Sequence, residues 1–89
     1  MMNPISEIQI NVIKPKNGLI GFASLILYEC MYLGSIGIYR KIDGSGYRIT
    51  YPNKTVGDKC LDIYHPINRE IGLEIERAII NKAKELFES

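Results

Sequence analysis

Residues 19–28 read Leu-Ile-Gly-Phe-Ala-Ser-Leu-Ile-Leu-Tyr, a run in which both parities are apolar. As a strand it sets Leu19, Ala23, Leu25 and Leu27 on one side and Ile20, Phe22 and Ile26 on the other, so the run calls for cover on both faces. The chain has 89 residues to supply that cover. A chain of this size buries roughly 60 to 65% of the surface exposed when unfolded, enough for one modest core without metal or disulfide staples. Two domains are excluded.

The segments around this run read as further strands. Over residues 5–14, Ile8, Ile10 and Val12 alternate with Gln9 and Asn11, the period of a half-buried strand, which the turn formers of residues 14–18 should end. Residues 31–41 form a third strand, with Ile36 and Ile38 on one face and Gly34 and Gly37 permitting a bend or bulge. Asp43-Gly44-Ser45-Gly46 is the strongest local signal, a tight hairpin turn leading into a strand over 46–51. There Tyr47, Ile49 and Tyr51 alternate with Arg48 and Thr50 until Pro52. Residues 53–59 read as a polar loop and 61–64 as a short strand.

The spacing then predicts a helix over 68–88, with Asn68 at its N-cap and Glu70 favoured by the helix dipole. Ile71, Ile75, Ala78, Ile79 and Leu86 form one apolar stripe. Leu73, Ile80 and Phe87 form a second, which needs a loop or a partner subunit to cover it. The expected architecture is α+β: an antiparallel sheet of about five strands with a C-terminal helix packed on it.

Charge is nearly balanced, with eleven Lys plus Arg against ten Asp plus Glu, which excludes a protein that coats nucleic acid by bulk electrostatics. It is not evenly spread. Residues 40–59 carry five basic residues against two acidic, a net of plus three, whereas 68–89 carry four against five. Any anion-binding surface is therefore local to the central hairpin and the loop after it. Two cysteines, Cys30 and Cys60, are too few for a disulfide framework, and with the single His65 they do not complete a zinc site. The start Met1-Met2-Asn3-Pro4 lacks the features of a signal peptide, and residues 19–33 are too short an apolar run to span a bilayer. The cytoplasm is the expected compartment, with no membrane partner.

Catalytic constellations are not indicated. His65, before Pro66, suits a turn or helix cap better than a general base, and neither cysteine has a basic neighbour in sequence to activate it. Asp58 and Asp62 do not form a carboxylate pair, and Gly44-Ser45-Gly46 lacks the lysine of a phosphate loop. Tyrosines 28, 32, 39, 47, 51 and 64 allow two readings. Interleaved with Arg40, Lys41 and Arg48 they match sheets that stack single-stranded bases; equally, they are ordinary strand formers at a half-wet surface. No enzyme, cofactor, metal or small-molecule substrate is expected.

Phe22-Ala23-Ser24-Leu25-Ile26-Leu27, Ile36-Gly37-Ile38, Ile42-Asp43-Gly44, Tyr51-Pro52-Asn53-Lys54 and Asp62-Ile63-Tyr64-His65-Pro66-Ile67-Asn68 follow one another in a familiar order. From about Ile8 to Leu86 the chain resembles the SpoVG family, small bacterial proteins named for septation and stage V of sporulation. The resemblance implies an antiparallel sheet with a C-terminal helix that dimerises through strand pairing into an extended sheet. It also implies a role in septation, sporulation or transcriptional regulation, with DNA or RNA binding in several members. A homodimer fits the residues independently, because a strand and a helix each apolar on two sides exceed what a small monomer covers.

Departures from the family pattern bear on the site. The Ser-Lys-Arg run after the proline reads Asn53-Lys54-Thr55 here, and two basic positions near the helix start fall at Gly72 and Glu74. Direct carry-over of a nucleic-acid contact is limited to Lys54, with Arg69, Arg77 and Lys84 as substitutes. With Lys59 and Arg48 from the basic segment, these make the candidate nucleic-acid-binding set, and weak binding with a shallow salt dependence is expected. The alternative is a dimeric protein-interaction module that has lost nucleic-acid binding.

Overall fold

The computed structural model describes residues 4–88; Met1 to Asn3, on which the reading against a leader partly rests, lie outside them. Strands β1 (Ile5–Lys16), β2 (Leu19–Leu27), β3 (Met31–Arg40) and β4 (Tyr47–Thr50) form one antiparallel sheet in chain order. A separate two-stranded sheet pairs β5 (Asn53–Val56) with β6 (Lys59–Asp62), and the helix α1 (Arg69–Phe87) follows. The α+β class is as expected. The single sheet of about five strands is corrected to four strands plus a separate hairpin.

The hairpin replaces the polar loop expected at 53–59, and the strand expected at 61–64 begins two residues earlier. Gly57, at φ 64, opens a two-residue turn, so that Val56 pairs Lys59 and Asn53 pairs Asp62. All eight strand residues are exposed, so neither face needed the apolar alternation that marks a strand in sequence. At the other end, β1 runs on through Pro15 to Lys16. The turn is Asn17-Gly18, both residues at positive φ as a two-residue hairpin turn favours. The Asp43 turn forms as read, with the Ser45 amide donating to Asp43 Oδ1 at 2.9 Å.

The core lies between one face of the four-stranded sheet and α1. Leu25, Ile36 and Ile38 are fully buried in one cluster with Ile75 and Ile79, each such side chain contributing about 1.5–3 kcal/mol. Two bulges decide which residues reach it. Leu25 pairs Leu33 whereas Ala23 pairs Ile36, so β3 holds one extra residue there, and Ser35 takes it up at φ 60 between the glycines expected to bend. Leu33 and Ile36 consequently both face the helix. In β2, Leu19 pairs Tyr39 whereas Gly21 pairs Ile38, which sends Ile20 into the core and Leu19 to the opposite face. The parity read for these two residues is exchanged by that bulge. Among the described residues cover on both faces is not met: Phe22 is 38% exposed on the face away from α1.

Asn68 caps α1 as read, its side chain accepting the Ile71 amide at 3.1 Å. Ile75, Ile79 and Ala83 are buried, with Ile71, Ala78, Ile80 and Phe87 packed around them. Leu86 was expected in this stripe but is exposed; Phe87 takes the place, its ring 6.2 Å from that of Tyr47. Among the described residues no helix is long and apolar enough to cross a membrane.

Candidate nucleic-acid interface

The β5–β6 hairpin brings the first two candidates together. Lys54 pairs Leu61 and Val56 pairs Lys59, so the period of two puts Lys54, Val56, Lys59 and Leu61 on one face. All four are exposed. The opposite face carries Asn53, Thr55, Cys60 and Asp62, whose carboxylate lies 3.1 Å from His65 Nδ1. No Lys or Arg among the described residues lies within ion-pair distance of a described carboxylate, so neither Lys54 nor Lys59 is neutralised by one.

Arg48 stands elsewhere, on the face of the large sheet away from α1. Its row runs across all four strands: Lys16 pairs Leu19, Leu19 pairs Tyr39, and Tyr39 pairs Arg48. The Arg48 guanidinium sits 4.5 Å from the Tyr39 ring centroid, a cation–π contact that holds the charge against the ring. The Arg40 amide donates to the Gly18 carbonyl at 2.9 Å, tying the β1–β2 turn to the end of β3. The strand ends that meet here, 14–18 and 39–48, carry Lys14, Lys16, Arg40, Lys41 and Arg48 against Asp43 alone. Lys14 and Lys16 were missing from the candidate set. They precede the basic segment by more than twenty residues, and only the strand register joins them to it.

Arg69, Arg77 and Lys84 are exposed on α1. Arg77 and Lys84, seven residues apart, lie on one face about 10 Å from each other, while Arg69 is rotated from Arg77 by about 80°. Glu74 and Glu85 are exposed on the same helix, so its outer side is mixed in sign. Gly72 lies against Pro66: a Cβ there would meet the ring at an ordinary 3.5 Å. The six candidates thus divide between a hairpin, a sheet face and a helix.

The tyrosines divide as well. Tyr47 is buried, and Tyr51 and Tyr64 pack edge to face at 5.9 Å beside the core. Burial and a 2.8 Å hydrogen bond donated to Glu88 raise the Tyr47 hydroxyl above its ordinary value. Tyr39 faces away from α1, and Tyr28 and Tyr32 are exposed at the opposite end of the sheet. Cys30 and Cys60 are exposed free thiols, and among the described residues no three His, Cys, Asp or Glu side chains are grouped to hold a metal ion.

The hairpin at residues 53–62 and the capped helix fall where the motifs Tyr51-Pro52-Asn53-Lys54 and Asp62 to Asn68 stand in the sequence. No curated protein matches the chain. The family model for SpoVG matches residues 2–85, almost its full length, and the chain belongs to the SpoVG family.

Proposed function

We propose that this protein is a dimeric, non-catalytic regulator of the septation and sporulation setting that binds DNA or RNA weakly through local basic patches. The observation that carries the reading is that Lys54 and Lys59 share one exposed face of the β5–β6 hairpin, without a described carboxylate bound to either. Arg69, Arg77, Lys84 and Arg48 add charge on neighbouring elements. With so few phosphate contacts, affinity is modest and falls gently with salt.

The hairpin also supports the dimer. A two-stranded sheet alone is marginal in water, and this one exposes every strand residue and pairs with no other strand among the described residues. Pairing its edge with a second copy would complete it, and two-fold symmetry would double each basic patch.

Fluorescence anisotropy with labelled single- and double-stranded oligonucleotides at about 50 and about 200 mM salt tests the binding. Affinity that weakens with salt, and weakens further in the Lys54→Glu, Lys59→Glu double variant, is the expected result. Absence of binding at the lower salt, or an unaffected double variant, would leave the interaction-module alternative. Light scattering tests the dimer, and a monomeric mass at micromolar concentration would refute it.

A further inference from the structure

The face of the four-stranded sheet opposite α1 has no cover among the described residues. It holds the row Lys16, Leu19, Tyr39, Arg48, and beside it the row Asn11, Phe22, Gly37, Thr50. Neither row contains a carboxylate. Gly37 lets the neighbouring side chains close over it, since a Cβ there would lie 2.8 Å from Thr50 Oγ1, 3.3 Å from the Tyr39 ring and 3.4 Å from Leu19 Cδ1, so the Tyr39 ring lies down along the sheet.

We propose that this face binds single-stranded nucleic acid, with unpaired bases stacked on Phe22 and on the Tyr39–Arg48 pair and the backbone held by Lys16. The inference rests on the nucleic-acid reading above and assigns it a strand type and a second surface. Aromatic rings and a flat guanidinium offer π-faces to splayed bases, whereas the stacked bases of a duplex present no such face. The charge supports this occupant over a second copy. Two copies of this face brought together about a two-fold axis would set Lys16 and Arg48 on a surface that offers them no carboxylate, whereas a phosphate backbone supplies the missing charge.

The test uses a labelled oligothymidylate of about twelve nucleotides and a duplex of equal length, with wild type, Tyr39→Ala, Tyr39→Phe and Arg48→Gln. Tyr39→Ala should weaken single-strand binding by roughly tenfold, leave duplex binding within about twofold, and be rescued by Tyr39→Phe. Arg48→Gln should follow Tyr39→Ala. Photocrosslinking of a bromouracil-substituted strand to the wild-type protein, independent of any variant's folding, should map to Phe22 or Tyr39. Equal losses on both probes, no loss, or crosslinks confined to residues 53–62 overturn the proposal while leaving nucleic-acid binding intact. A smaller mass for Tyr39→Ala in light scattering overturns it in favour of a second copy. Wild type that binds neither probe overturns the nucleic-acid reading and this proposal with it.

Discussion

The Tyr64 hydroxyl donates to the Gly34 carbonyl at 2.6 Å, joining the loop before α1 to the bulged stretch of β3. β4 pairs only with residues 37–40, so the β3 edge at Gly34 has no strand partner on that side and the tyrosine takes its place. Tyr64→Phe keeps the edge-to-face packing on Tyr51 and removes only this bond. The expected loss is about 1 kcal/mol, read as a lower urea midpoint at unchanged slope. An unchanged midpoint would show that the bond adds nothing.

The same hydroxyl makes stability depend on alkaline pH. Burial, then the neighbouring Tyr51 and Tyr32, push Tyr64 from the ordinary 10.0 up to about 12. The folded state keeps a proton that the unfolded chain releases first. Its contribution is complete below pH 10.0 and is lost as pH rises toward about 12. Burial shifts Tyr47 and Tyr51 in the same direction. Urea midpoints across this window should fall with pH, and less steeply in Tyr64→Phe; parallel slopes in the two proteins would contradict the assignment.

What the sequence disclosed was local. The Asp43 turn is set by a side chain bonding an amide two residues on, and α1 by its cap and spacing, so both are legible in short windows. Ile20 and Leu19 exchanged faces because a bulge in β2 breaks the alternation, and the bulge is defined against β3, not within β2. The β5–β6 hairpin was hidden by its polarity, although Gly57-Asp58 between two four-residue runs is itself a hairpin signal. Lys54 and Lys59 were found as charges, and only the register shows that they share a face. Arg48 was likewise found as a charge, but that it shares a row with Lys16 was beyond reach, the two being joined through two intervening strands.

The corrected helix stripe separates neighbouring apolar residues by energy. Ile79 is fully buried, whereas Leu73 and Leu86 stand 38% and 48% exposed. Ile79→Ala should cost about 2–5 kcal/mol through lost transfer energy and the cavity left behind. Leu73→Ala and Leu86→Ala should each cost well under that, within about 1 kcal/mol. Thermal melts of the three variants check the order. A cost at Leu86 equal to that at Ile79 would restore the stripe as first read.

Two glycines of the sheet should respond unequally to alanine. A Cβ at Gly21 would lie 2.8 Å from the Asn11 carbonyl oxygen, a backbone atom held by β1–β2 pairing that moves only with its strand. At Gly34 the nearest atom, also at 2.8 Å, belongs to the ring of Tyr32, which is 71% exposed and can swing into solvent. Gly21→Ala should destabilise by about 1–3 kcal/mol and Gly34→Ala by less than about 0.5 kcal/mol. Equal effects in denaturant melts would contradict the difference in rigidity.

Gly72 and Glu74 occupy helix positions where the family resemblance places basic residues, so restoring charge there measures what this chain gave up. Gly72→Lys fits sterically, since the new Cβ meets Pro66 at 3.5 Å, and replacing a glycine inside α1 should itself stabilise by roughly 0.5–1 kcal/mol. Glu74 is exposed, so Glu74→Lys reverses a charge without disturbing the core. If both lysines reach phosphates, the logarithmic salt slope for duplex should steepen by roughly 1.8, about 0.9 for each contact, with tighter binding at low salt. The double variant measured by anisotropy over a salt series checks this. A slope unchanged from wild type would place the nucleic acid away from the start of α1 and leave the hairpin and the open sheet face as the surfaces that bind it.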